Sequence, residues 1–522
     1  MKKIKGLFLG LGLCVSLLGQ ANQVNNTLDY ASTKDIRDIN PHLYSGEMAA
    51  QNMVFEPLVL NTEQGIKPWL AESWQISPDG KTYTFRLRQN VKFSDGESFN
   101  AQAAKLNIEA VLDNYQRHAW LELVKEIEKV TALDEYTLEL KLKNAYYPTL
   151  IELGLTRPFR FISPKSFVNG KTKNGVNSYV GTGPWILKTH SKNEFARFEH
   201  NPHYWGEQPR LSAVQWQVIP DRQTMLLALQ KGDVQLIFGA DGDMLDMESF
   251  QTLASAQDFT HLLSDPIASR TLVLNSSRAI TKDVKVRQAL SYAVDKTAIA
   301  EGIFNGSEVV ADTLMAKDVP YSDVNVMTYP YNLQKAQQLL DEAGWIQSTA
   351  GAIRTKAGKS LSLLLSYNIN NVAEKEIAEL LQSDFKRIGV ELQILGEEKQ
   401  AFLDRQKSGE FDIQYSLSWG KPYDPASFVS SFRIPAHADY QGQKGLANKA
   451  DIDRMISELL ITPDESKRQS LYQRLYTTLA EQAVYIPLTY SRTKALFNKR
   501  LQGVVFNQSQ YEIPFEKMSF QP

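Results

Sequence analysis

The chain has 522 residues, 43% of them hydrophobic and 22% charged, with 57 Lys and Arg against 59 Asp and Glu for a formal net charge of -2. A length of this order divides into about two to four domains, and the balanced charge excludes both an acidic disordered tail and a basic nucleic-acid-coating surface. The single cysteine, Cys14, rules out an intramolecular disulfide, a cysteine zinc site and an iron–sulfur cluster.

The first residues read as an address. Met1-Lys2-Lys3-Ile4-Lys5 is followed by an apolar run from Gly6 to Leu18 and by Gly19-Gln20-Ala21. A charged start, a short apolar stretch and a small-x-small site make a secretory signal peptide over 1–21, because the run falls well short of the roughly 20 residues a spanning helix needs. Leu13 fills the place before Cys14 where a lipoprotein signal has a small residue, so a soluble protein cleaved after Ala21 is expected. Loss of three lysines would take the net charge to about -5.

Strand-like and helix-like segments then alternate. Ser77-Pro78-Asp79-Gly80 is a turn leading into the alternating strand Thr82-Tyr83-Thr84-Phe85-Arg86-Leu87-Arg88, and 136–143 alternates again with Leu138, Leu140 and Leu142 on one face. A helix over 224–231 stopped by Gly232 precedes a buried strand over 234–238. Asp283 caps a helix expected to reach about Phe304, and Asn332 caps one ending at Ala343-Gly344. Residues 372–388 have helical periodicity, with Gly389 at the C-cap and a strand over 390–395, and 464–482 is a further amphipathic helix. The mixture is α/β or α+β. Two β-rich apolar segments, 271–275 and 484–490, read as passages between lobes.

Enzyme motifs are missing. The chain has no His-Glu-x-x-His and no Gly-x-Ser-x-Gly, and Gly80-Lys81-Thr82 lacks the upstream glycine of a phosphate-binding loop, since Gln75 stands there. Among the seven histidines only His200 and His203 are close in sequence, and Pro202 between them argues for a turn instead of a metal-binding helix face. Aromatic and arginine clusters carry more information: Arg117-His118-Ala119-Trp120, Arg157-Pro158-Phe159-Arg160-Phe161, Trp419-Gly420-Lys421-Pro422-Tyr423-Asp424-Pro425 and Ile434-Pro435-Ala436-His437-Ala438-Asp439-Tyr440. Arginine forks bind carboxylates in pairs of hydrogen bonds, and aromatic walls shape a pocket around a small ligand.

Leu70-Ala71-Glu72-Ser73-Trp74, the turn and strand over 77–85, Val91-Lys92-Phe93-Ser94-Asp95-Gly96, Gly181-Thr182-Gly183-Pro184-Trp185, 201–205 and Val286-Arg287-Gln288-Ala289-Leu290 resemble the large periplasmic solute-binding proteins of ABC importers, in the peptide- and nickel-binding group. The resemblance covers nearly the whole chain after the address. It implies a two-lobe α/β periplasmic binding protein with a hinge and an interlobe ligand cleft, without catalytic activity. Lobe I would be 22–270, lobe II 271–489, and 490–522 a tail returning to lobe I, with the chain crossing between lobes near 271–275 and near 488–492. Periplasmic location, a monomer, inner-membrane ABC permease subunits as partners and no nucleic acid follow from the same resemblance.

The four aromatic–arginine clusters are most similar to the nickel-binding branch. That resemblance implies His437 as the one protein ligand to the metal, Arg117 and Arg157 on the carboxylates of an organic chelator, Trp120, Trp419 and Tyr423 as pocket walls, and Tyr44 and Met48 closing the pocket. The cargo would be a nickel ion held with free histidine or a small carboxylate, because one imidazole cannot fill nickel's coordination positions and a preformed chelate is selected by shape and charge. His437 must be neutral to coordinate, so affinity is expected to fall below about pH 6. The alternative within the family is a short peptide or haem. Peptide-binding relatives place an aspartate where Lys421-Pro422 stands here, and a lysine would repel a peptide ammonium. Two departures from the nickel pattern concern a segment between Tyr44 and Met48 that is one residue shorter, and the loop over 506–513, where Tyr511 takes the place of a smaller hydroxyl residue and joins the wall.

Overall fold

A computed structural model describes residues 26–240 and 244–521. The signal-peptide reading and Cys14 lie outside them. Two large mixed sheets organise the chain. The first has seven strands in the order Trp185–Ser191, Phe195–His200, Ala213–Val218, Thr27–Ser32, Leu236–Gly239, Lys494–Asn498 and Phe259–Leu263. The second has six, in the order Val309–Val310, Tyr485–Ser491, Ala268–Leu274, Ile413–Leu417, Ser362–Asn368 and Glu391–Glu397.

Side-chain alternation decides what each face of the first sheet covers. Tyr30, Leu236 and Phe238 enter one buried cluster with Trp216 and Phe198, while Ala31 and Ile237 point the other way onto Met225 and Leu229 of the helix Arg222–Lys231. In the second sheet Leu272 and Leu274 pack with Val286, Ala289 and Leu290 and with Ile377, Leu381 and Phe385. Val273 between them points the other way, into a cluster with Val429 and Phe432, so both faces of each sheet are covered, as a mixed sheet with parallel pairs requires.

A third sheet of four strands, Ala71–Ile76, Thr82–Leu87, Thr137–Leu142 and Ile127–Asp134, forms a smaller layer on the N-terminal side. Its register sets Tyr83 opposite Leu140 and Phe85 opposite Leu138, so the two alternating patterns bury their apolar faces together. The turn before it is a hairpin: Gly80 has φ 69° and its N–H donates to the Ser77 carbonyl at 2.8 Å. Gly80-Lys81-Thr82 therefore belongs to a turn entering a strand.

Helix ends follow the capping residues. Asp221, Asn332 and Asp464 accept from the amides of Thr224, Lys335 and Lys467, and Gly232 and Gly389 take φ 81° and 79° where their helices stop. The helix begun at Asp283 ends at Tyr292, short of Phe304. Asp295 Oδ1 accepts from the Ala298 amide at 3.0 Å and starts a new turn, which runs into a π-helical segment, Ile299–Ile303. An aspartate carboxylate that takes a backbone amide competes with the continuing helix.

The chain leaves the seven-stranded sheet after Leu263, enters the six-stranded one at Ala268, and returns between Ser491 and Lys494. Residues 271–274 lie inside a fully buried strand and 485–490 inside its neighbour, so both β-rich segments are sheet and the passages flank them. Among the described residues no helix is long and apolar enough to cross a membrane.

Candidate functional site

The C-terminal end of the helix Met48–Val54 lies against the glycine motif 181–183. A side chain on Gly181 or Gly183 would collide with the backbone of Met53 and Val54, and the Gly183 N–H donates to the Val54 carbonyl at 2.9 Å. That close approach fixes the helix whose first residue is Met48. On the second unit, the strand Ile413–Leu417 runs into the segment 418–425. There Asp424 Oδ2 accepts from Ser418 Oγ at 2.6 Å and from the Gly420 N–H at 3.1 Å. The staple turns Trp419 and Tyr423 toward the first unit. Burial pushes the Asp424 carboxyl up to about 7.

The two units face each other across a cavity of about 410 Å³ lined by Tyr44, Met48, Trp120, Arg157, Trp419, Tyr423, His437 and Tyr511. This volume suits a small ligand. The rings interlock: Trp120 meets Trp419 edge-on with centroids 5.4 Å apart, and Tyr423 meets Tyr511 edge-on at 6.0 Å. The Tyr423 hydroxyl reaches Met48 Sδ at 3.8 Å.

Arg157 is the charged side chain on this lining. Its Nη1 donates to the Gly46 carbonyl at 3.0 Å, and its guanidinium lies 5.0 Å from the centre of the Tyr44 ring. Burial lowers its proton affinity without neutralising it, and burial also raises the phenols of Tyr44, Tyr423 and Tyr511, the last to about 12. The tyrosines are therefore neutral at physiological pH, and among the described residues the lining carries positive charge and no carboxylate. Arg117 stands apart from the lining: its exposed guanidinium lies 5.3 Å from the centre of the same Tyr44 ring. Lys421 is directed away, in an ion pair with Asp318. Its charge therefore does not bear on a peptide ammonium in this cavity; the lack of a lining carboxylate does.

His437 is the N-cap of the helix Ala438–Gln443, set by a turn in which its N–H donates to the Ile434 carbonyl at 3.0 Å. Its ring lies 5.9 Å from that of Trp419 and makes no hydrogen bond among the described residues. Burial lowers its pKa below 6.5, so it is neutral at physiological pH with a nitrogen lone pair open to a metal. No group of three or more His, Cys, Asp or Glu that could hold a metal ion occurs among the described residues.

Two side chains the sequence reading left unassigned support the lining. His118 is fully buried and held neutral by burial at about 4. The Tyr44 hydroxyl accepts from Trp120 Nε1 at 2.7 Å, which leaves its own proton for His118 Nδ1 at 2.5 Å. Arg160, also buried, donates to the Phe55 carbonyl at 3.1 Å and pairs with Glu512 at 3.4 Å, while Gln510 donates to the Trp419 carbonyl at 3.1 Å. These bonds tie the loop over 506–513 to both units and place Tyr511. The adjacency of His118 to Arg117 and of Arg160 to Arg157 in the clusters was the available signal.

Residues 65–440 match the family described as bacterial extracellular solute-binding proteins, family 5, middle region. The chain belongs to this family of solute-binding proteins. It is 43% identical over 486 residues to the nickel-binding periplasmic protein of Escherichia coli strain K12, covering 93% of each chain. Its fold is that of the NikA protein of Brucella suis solved in complex with Fe(III)-EDTA, at 42% identity and a TM-score of 0.93 over 95% of this chain and 100% of that one. NikZ of Campylobacter jejuni, solved with Ni(L-His), matches at 25% identity and a TM-score of 0.80 over 95% of this chain and 99% of that one. The architecture is the two-lobe periplasmic binding protein fold of that family.

Proposed function

We propose that this family member captures nickel as a complex with a small organic chelator in the periplasm and hands it to the permease of an ABC importer, acting as a monomer with no catalytic step. The observation that carries this reading is the make-up of the cavity among the described residues: one neutral imidazole free of protein hydrogen bonds, one buried guanidinium, aromatic walls and no carboxylate. A bare divalent ion would find a single ligand there and a positive charge beside it. A chelate brings the remaining ligands, and its carboxylate meets the fork of Arg157, with Arg117 at the mouth.

The nickel-binding relative and the solved complexes with Fe(III)-EDTA and Ni(L-His) support the same ligand class. In this reading lobe I is the seven-stranded unit with its four-stranded layer and the returning tail, and lobe II is the six-stranded unit. The passages at 264–267 and 492–493 serve as the hinge. X-ray absorption of the nickel-loaded protein tests the assignment. One protein imidazole lost on His437→Ala, with the chelator's atoms filling the other positions, is the expected spectrum. A shell of several protein ligands, or one unaffected by the substitution, would overturn it.

A further inference from the structure

Outside the lining of the ligand cavity, the four-stranded layer meets the C-terminal helices of the six-stranded unit. The layer is bonded to the first unit: the Ser94 N–H donates to the Gly181 carbonyl at 2.9 Å, and Asn107 Nδ2 donates at 2.9 Å to the carbonyl of Ile162, which is buried in the cluster of the seven-stranded sheet. Two points cross to the other unit. Glu122, in the short helix Glu122–Glu126 that follows Trp120, pairs at 3.2 Å with Arg433, just upstream of His437. Tyr147 donates its N–H to the Leu460 carbonyl at 3.2 Å, shares a hydroxyl–hydroxyl bond of 2.6 Å with Tyr472, and has the Arg468 guanidinium 4.3 Å from its ring centre. One cluster of buried apolar residues runs from Phe85 and Leu138 of the layer to Leu459 and Leu475 of the helices Lys449–Ile461 and Glu465–Glu481.

The charged groups at this contact have partners besides the crossing ones. Arg468 also donates to the Thr462 and Pro463 carbonyls at 2.8 Å and to the Tyr321 hydroxyl at 3.0 Å. Arg433 also donates to the Ser457 and Ser430 hydroxyls at 2.9 Å, and Glu122 keeps Lys125 at 3.3 Å. A contact whose charges retain partners in their own unit can part without stranding a buried donor. We propose that this contact is a clasp, which favours the closed arrangement of the two units without ligand and so sets chelate affinity and release from outside the cavity. The inference rests on the hinge and the nickel–chelate reading given above. A chelate that binds only the closed arrangement has its affinity scaled by the closed fraction. The clasp therefore governs, together with the cavity, how long the metal is held.

Glu122→Ala combined with Tyr147→Phe removes the ion pair and the hydroxyl pair and leaves every lining residue in place. With Cys14→Ser removing the native thiol, spin labels on Leu133→Cys and Ile461→Cys, exposed positions on the layer and on the second unit, report the separation by pulsed electron resonance. The ligand-free protein should show a closed population that the double variant shifts to longer distance, and nickel with histidine should restore the closed distance in both. Loss of one charge-assisted and one neutral hydrogen bond predicts release of nickel–histidine faster by about tenfold or more. The nickel X-ray absorption spectrum should stay unchanged, as it would not if the substitutions had damaged the cavity. Equal distances and equal release rates in the two proteins, or an altered metal shell in the variant, would overturn the clasp while leaving the nickel–chelate reading intact. Failure of the unsubstituted protein to bind nickel with histidine would overturn that reading, and the ligand-free distances would decide the clasp by themselves.

Discussion

Trp120 and Trp419 meet edge to face across the cavity, ring centroids 5.4 Å apart and planes at 74°. Trp120 precedes a short helix, Glu122–Glu126, on the N-terminal side, and Trp419 follows the strand Ile413–Leu417 of the six-stranded sheet. Two indoles from separately built units are thus one wall. An aromatic contact of this kind adds about 0.5–1.5 kcal/mol beyond area burial. Trp120→Ala should therefore weaken nickel–histidine binding by about tenfold, by removing the ring contact and opening the wall. Calorimetry checks this, and an unchanged affinity would separate the indole pair from the site.

Tyr44→Phe removes a hydroxyl that serves two partners. Trp120 Nε1 loses its acceptor and His118 Nδ1 loses its donor, beneath a ring whose Nε2 is already unpaired. Unmet buried polar groups cost about 1–3 kcal/mol each, so the urea midpoint should fall clearly. A midpoint equal to that of the unsubstituted protein would contradict the chain of bonds.

Arg157→Lys is expected to resemble Arg157→Ala more than the native protein. The ammonium keeps the charge but not the planar fork that meets a carboxylate at two points. Loss of a charge-assisted hydrogen bond corresponds to about 10- to 100-fold in chelate affinity. Arg117→Ala, whose guanidinium lies outside the lining, should cost less. Comparing the three dissociation constants checks the order.

The pH dependence has two separable parts. Because burial lowers the His437 pKa, the imidazole stays neutral through 6.5, and chelate affinity should hold there and fall only at lower pH, as a proton displaces the metal. Asp424 acts on stability. Its folded pKa is raised from 3.8 to about 7, so the folded state holds the proton more tightly than the unfolded one. The stabilisation is complete below 3.8 and is lost as pH rises toward 7. Asp424→Asn should remove that slope from the unfolding free energy measured across the interval.

The site was more legible than the passages between the units. Eight of the nine residues singled out by cluster and resemblance line one cavity, because aromatic and arginine residues that look costly on a surface stand out in a sequence. Arg117 was placed one layer too deep: sequence adjacency to Trp120 does not say which of the two side chains turns inward. The expected crossing at 271–275 falls inside a strand because Leu272 and Leu274, apolar and β-rich, are what a fully buried strand needs, and a bend of four residues at 264–267 has no pattern of its own; the crossing expected near 488–492 adjoins the return between Ser491 and Lys494.

The central claim is that the metal arrives already chelated. Calorimetric titration of the metal-stripped protein with nickel, first alone and then in excess free histidine, tests it most directly. The account predicts tight binding only with histidine present, lost in His437→Ala. Tight binding of nickel alone would contradict it, because the cavity offers a lone imidazole to a bare ion.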